Sequence, residues 1–186
     1  MPKRSVLADL VNSATAAKVH FEVWWAQANE AKPGLLRQMN AHSDFFRASY
    51  DAHYMAYHIY VGHLFDATPR TASIAAYLKE IKPRRPATEH KALEAEYKVL
   101  LKRAKTLVIA RHKTVAHIDQ FLTEKEVFAQ ADPTTYNQTR DLIYDVAQFV
   151  AKLAGHEDQP GAIGIARDRR LLEATLAVIR ALPNAA

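Results

Sequence analysis

The segment Arg111-His112-Lys113-Thr114-Val115-Ala116-His117-Ile118-Asp119 puts an arginine, a second polar residue and a histidine within seven positions. An arginine offers a planar fork of donors that matches a phosphate. A histidine moves a proton near neutral pH. The combination suits phosphodiester chemistry. On a regular helix six residues turn by about 600°, which leaves Arg111 and His117 about 120° apart. To meet on one phosphate they need the reach of the arginine, a distortion of the helix near His117, or a second protomer. Each residue also has a purely structural reading. Arg111 continues the apolar stripe Leu100, Ala104, Val108, Val115, Ile118, as a buried arginine paired with a carboxylate would. His117 suits a helix C-terminus, where an imidazolium meets the dipole.

Around this pair the charge is uneven. The chain carries a net charge of +5, and residues 79–113 hold eleven Lys or Arg against four Asp or Glu. The whole basic excess therefore lies in the stretch leading into the motif. Such a stripe favours an anionic partner, nucleic acid above all, or else is a solvated helix face. Lys98, Lys102, Lys105 and His112 fall along one shared face, as an RNA backbone track would. Lys113 stands four residues before His117 and either lowers its pKa, binds phosphate, or is a surface lysine. Asp119 orients His117 or caps a turn.

The elements that must hold these residues read as helices throughout. Leu7, Leu10, Ala14, Ala17, Phe21, Trp24 and Ala28 recur at three–four spacing, predicting a helix over 6–32 with Ser5 as N-cap and Pro33-Gly34 as its stop. A second long helix is predicted over 35–65, broken by Asp66-Ala67-Thr68-Pro69, with a short third helix opening near Pro69 and running through Lys82. Pro83 to Pro86 is a break. Thr88 is expected to cap a long fourth helix, 89–118, with Glu89 in its first turn. Thr123 to Glu126 reads as a capping box for a short fifth helix, and Asp132-Pro133 opens a sixth to Leu153. A loop over 155–164 and a last amphipathic helix over 165–182 follow. No alternating strand pattern or internal repeat is present.

Composition excludes several classes. There is no cysteine, so no disulfide, cysteine zinc site or thiol nucleophile exists, in keeping with a reducing cytoplasm. No signal peptide is read at the N-terminus and no apolar run of about 18 residues occurs, so no membrane span is expected. The nine histidines invite a metal reading. However, His53, His58 and His63 are spaced by five and scatter around a helix, and neither Glu-x-x-His nor His-Glu-x-x-His occurs. A helical metalloenzyme using histidines from separate helices stands as a third reading behind a nuclease and a binding module. Tyr50, Tyr54, Tyr57 and Tyr60 form a stripe that either stacks bases or packs as core or dimer interface; Trp24 and Trp25 read as packing. No Gly-rich phosphate loop and no serine elbow is found.

The Arg-polar-x4-His arrangement resembles the signature of the HEPN superfamily, and RHKTVAHID is most similar to its abortive-infection (AbiU-like) branch. A second stretch agrees. Ile59 to Asp66, then Thr71-Ala-Ser-Ile74 and Leu78, is similar to that branch's helix ending in Leu-x-Asp followed by a short Ser-initiated helix. The resemblance spans about residues 5–155. It implies an all-α, HEPN-like bundle of about six to seven helices. The chain is then expected to form a single helical domain over 1–186, with the HEPN-like core in 5–155 and a C-terminal loop and helix in 156–186.

The resemblance further implies a homodimer with its two motifs facing each other, and a metal-independent endoribonuclease of phage defence or a toxin–antitoxin pair. Carried over by position, Arg111 binds and polarises the scissile phosphate. His117 acts as general acid or base, and His112 orients the phosphate or the arginine. The product would carry a 2′,3′-cyclic phosphate. Lys98, Lys102, Lys105 and Lys113 are the expected nucleic-acid contacts, RNA and an antitoxin protein the expected partners, with no cofactor and no metal. Many relatives are inactive, which keeps a non-catalytic module binding RNA, nucleotide or protein as the alternative.

Overall fold

The computed structural model describes residues 5–31, 34–68, 71–110, 136–155 and 169–183. Among them every regular element is helical: α1 Val6–Trp25, α2 Leu36–Ala41, α3 Ser43–Leu64, α4 Ile74–Ile81, α5 Ala87–Ala110, α6 Tyr136–Leu153 and α7 Arg170–Ala181. The expected fifth helix and the start of the sixth lie outside the described residues.

α1 is the axis of the bundle, and its broadest contact is with α3, followed by α6. The stripe read from the sequence supplies this: Leu10, Ala14, Ala17, Phe21 and Trp24 are all buried. Ser5 caps the helix, its Oγ accepting from the Ala8 N–H at 3.4 Å. α3 returns Tyr57, Val61 and Leu64 to the same core, α5 adds Leu93, Leu100, Ala104 and Leu107, and α6 adds Leu142, Ile143, Val146 and Phe149. The tyrosine stripe packs rather than standing free. Trp24 meets the rings of Tyr50, Tyr54 and Tyr57 at 5.5–5.7 Å between centroids. α6 ends in the left-handed Gly155 (φ 71°), a conformation glycine adopts at little cost. α7 packs back on α1 through Leu172, Leu176 and Ile179.

Several boundaries differ from those expected. α1 gives way after Trp25 to a π-helical turn, Ala26–Glu30, in which the Ala31 N–H reaches the Ala26 carbonyl at 2.8 Å. The wider turn aligns residues five apart, and the Trp25 Nε1–H donates to Glu30 Oε1 at 2.9 Å. The second helix is two helices. His42 (φ −128°, ψ 41°) leaves the helical region, and Ser43 with Asp44 in the first turn opens α3. The third helix opens at Ile74, not near Pro69, because Ser73 is extended and its Oγ accepts from the Ala76 N–H. Thr88 is not a cap, since α5 already begins at Ala87 and the His90 N–H bonds the Pro86 carbonyl at 3.0 Å. The last helix opens at Arg170, preceded by the left-handed Arg169 (φ 48°), whose guanidinium donates to Glu30 Oε1 at 2.9 Å, and its expected first turn over 165–168 lies outside the described residues.

Candidate nucleic-acid interface

Arg111, His112, Lys113, His117 and Asp119 lie outside the described residues, immediately after the end of α5. Lys98, Lys102 and Lys105 lie on α5, and all three are exposed. With about 100° per residue, they stand about 140–160° around the helix from buried Leu100, directly opposite the core. Leu101 and Ile109 lie beside them, with Val108, which packs against the core, at the edge. Together with the three lysines they line a shallow groove of about 290 Å³ with an apolar floor and a cationic rim.

The structure divides the basic excess into two parts. On the flank of α5 turned toward α6, Arg103 pairs with Asp145 at 2.8 Å and Glu96 with Lys152 at 2.9 Å. At the start of α5, Arg85 pairs with Glu89, and Arg84 pairs with Glu80 at 3.4 Å. These charges are spent within the bundle. Among the described residues Lys98, Lys102 and Lys105 join no carboxylate, so the outer face of α5 keeps its positive potential for a partner.

Other polar groups sit inside the bundle and belong to its architecture. On α1, Lys18 and Glu22 are one turn apart, both buried, and paired at 3.0 Å. The Tyr144 hydroxyl of α6 donates to Glu22 Oε1 at 3.1 Å. Burial and the neighbouring carboxylate push that phenol well above its ordinary range, so it stays a donor. The sequence carried a signal for this cluster that apolar periodicity alone passes over: a Lys and a Glu at i, i+4 inside the stripe between Ala14 and Trp24. His58 is buried, its Nδ1–H donating to the Tyr54 carbonyl at 2.9 Å, and burial lowers its pKa to about 4. His90 is buried too, with Nε2–H on the Leu78 carbonyl at 2.9 Å. Of the histidines suspected of gathering a metal, His58 is therefore committed to backbone packing. Among the described residues no group of three His, Asp or Glu assembles.

The family model of HEPN_AbiU2, described as AbiU2, matches residues 4–159. The chain belongs to the AbiU2 family of HEPN proteins. This places it in the abortive-infection branch, a phage-defence class, and the match takes in α1 to α6 together with the Arg111–His117 segment. No curated protein and no solved structure matches the chain. Within this AbiU2-family protein no described helix is long and apolar enough to cross a membrane.

Proposed function

We propose that this AbiU2-family protein is a metal-independent endoribonuclease of phage defence or a toxin–antitoxin pair, acting as a cytoplasmic homodimer without cofactor. Arg111 binds the scissile phosphate. His117 takes the 2′-hydroxyl proton as general base or returns one to the leaving 5′-oxygen as general acid, and His112 orients the phosphate or the arginine. The 2′-oxygen displaces the 5′-oxygen at phosphorus, leaving a 2′,3′-cyclic phosphate and a 5′-hydroxyl. Lys98, Lys102, Lys105 and Lys113 hold the backbone of the RNA.

The observation that carries this reading is the position of the Arg111–His117 segment, directly after a helix whose outer lysines are left uncompensated, in a chain of a HEPN family. The family and the spacing of the motif support the dimer: on a regular helix Arg111 and His117 would stand about 120° apart, and a second protomer would complete one site.

The test is incubation of the purified protein with a mixed pool of structured and single-stranded RNA in excess EDTA, beside His117→Ala and Arg111→Ala. Cleavage by the parent alone, with cyclic-phosphate ends, is the expected result. Full activity of His117→Ala removes the catalytic assignment. Salt-sensitive RNA binding with intact RNA in all lanes replaces the nuclease with a binding module.

A further inference from the structure

The seam between α1 and α3 carries a histidine pair with no part in RNA chemistry. His20 on α1 and His53 on α3 face each other with their Nδ1 atoms 2.8 Å apart. Their ring centroids are 5.0 Å apart. That separation about equals the nitrogen–nitrogen distance plus the two ring radii, so the nitrogens meet head-on in an N–H···N hydrogen bond. A chelated cation would need both rings to swing away from this line. One Nδ1 carries the proton and the other accepts. A first added proton goes to the free Nε2 of the donor ring and leaves the bond intact. A second can only land on the shared, accepting Nδ1, which destroys the bond and sets two cations face to face.

The surroundings give that second proton no compensation. Tyr60 of α3 stacks on the His20 ring at 5.7 Å and 7°, and its centroid lies 6.1 Å from that of His63, the two planes perpendicular. One turn from His20 on α1 stand Ala16, Ala17, Val23 and Trp24, and one turn from His53 on α3 stand Ser49, Tyr50, Ala56 and Tyr57. None of these eight helical neighbours is an acid or a base near neutral pH. Burial lowers both imidazoles, His53 lowers His20 further, and no carboxylate raises either.

We propose that His20 and His53 form an acid-sensitive latch on the α1–α3 seam, closed with none or one added proton and opened by the second. The unfolded chain takes both protons near pH 6.5. The folded chain resists the second, so the latch is at full strength above that pH and is lost as pH falls below it. Each differentially bound proton changes the folding constant about tenfold per pH unit, a shift in Tm of roughly 3–5 °C for a chain of this size.

The experiment compares Tm of the full chain and of His53→Asn from pH 7.5 to 5.0. Asparagine keeps a polar group near the position of Nδ1 and adds no second proton. His58 titrates in both proteins and cancels. Over that range the Tm of the parent is expected to fall by about 3 °C more than that of His53→Asn, and parallel curves overturn the latch. Should His53→Asn not fold, imidazole NMR of the parent decides. Two separated titrations for His20 and His53 support the pair, and two independent ones near pH 6.5 overturn it.

Discussion

Removing the charges of Lys98, Lys102 and Lys105 should flatten the salt dependence of RNA binding by a calculable amount. All three are exposed on the face of α5 opposite Leu100 and join no carboxylate among the described residues. They span about 10 Å along the helix axis. Each phosphate neutralised on a single strand contributes about 0.7 to the slope of log K against log salt, so three contribute about 2. Between 50 and 200 mM salt that slope alone weakens binding about 16-fold. The triple glutamine variant should therefore bind more weakly at 50 mM and lose about that factor less on going to 200 mM. Fluorescence anisotropy with a labelled single strand over a salt series reads both quantities. The control is Arg103→Gln, also on α5 but with its guanidinium 2.8 Å from Asp145, which should change the slope less than any one lysine substitution. An unchanged slope in the triple variant, with folding intact, refutes the assignment of this face to a nucleic-acid backbone.

The remaining predictions concern the bundle itself. His58 has its pKa lowered from 6.5 to about 4, so the folded state excludes a proton that the unfolded chain accepts. This makes a contribution of about 3 kcal/mol, complete above pH 6.5 and lost as pH falls toward 4; urea denaturation of the parent and His58→Asn at pH 7 and 4.5 should show the gap between them closing. Glu22→Ala strands buried Lys18 without its partner at 3.0 Å and should cost about 3–5 kcal/mol, against about 1 kcal/mol for Tyr144→Phe, both read from chemical denaturation. Asp145→Ala breaks a half-exposed pair and should cost less than about 1 kcal/mol by the same assay.

How far the sequence alone reached depended on whether the deciding partner was close along the chain. The stripe Leu10, Ala14, Ala17, Phe21, Trp24 was legible because helical periodicity and burial are the same statement for a bundle helix. The start of α4 was legible in the family pattern as a Ser-initiated helix, though the proline before it drew the boundary too early. The break at His42 was hidden because no Pro or Gly marks it; the available signal was the pair Ser43-Asp44, two residues favourable at a helix N-terminus, inside an otherwise unbroken apolar pattern. The His20–His53 contact joins residues 33 apart, and Tyr144 reaches Glu22 across 122. Neither spacing repeats any helical period, so neither could be read before the helices were packed. The same holds for charge. The basic excess of 79–113 was plain as a sum, but which cations remain available depends on the acids that α6 and the start of α5 bring to them.

That division of charge bears on how any loss of activity is to be read. The cluster Lys18, Glu22 and Tyr144 is buried between α1 and α6, and a substitution there acts through the stability of the whole bundle. The lysines of α5 lie across the helix from the core, so their removal leaves Leu93, Leu100, Ala104 and Leu107 packed as before. A defect in RNA handling with an unchanged Tm is therefore informative only on the α5 face or in the Arg111–His117 segment. If His117→Ala abolishes cleavage while leaving the salt slope of binding intact, and the lysine variants flatten that slope while the bound RNA is still cut, then binding and chemistry are carried by separate residues of one helix and the segment that follows it. If the lysine variants instead abolish cleavage at saturating RNA, the lysines position the phosphate itself, and the outer face of α5 becomes part of the active site.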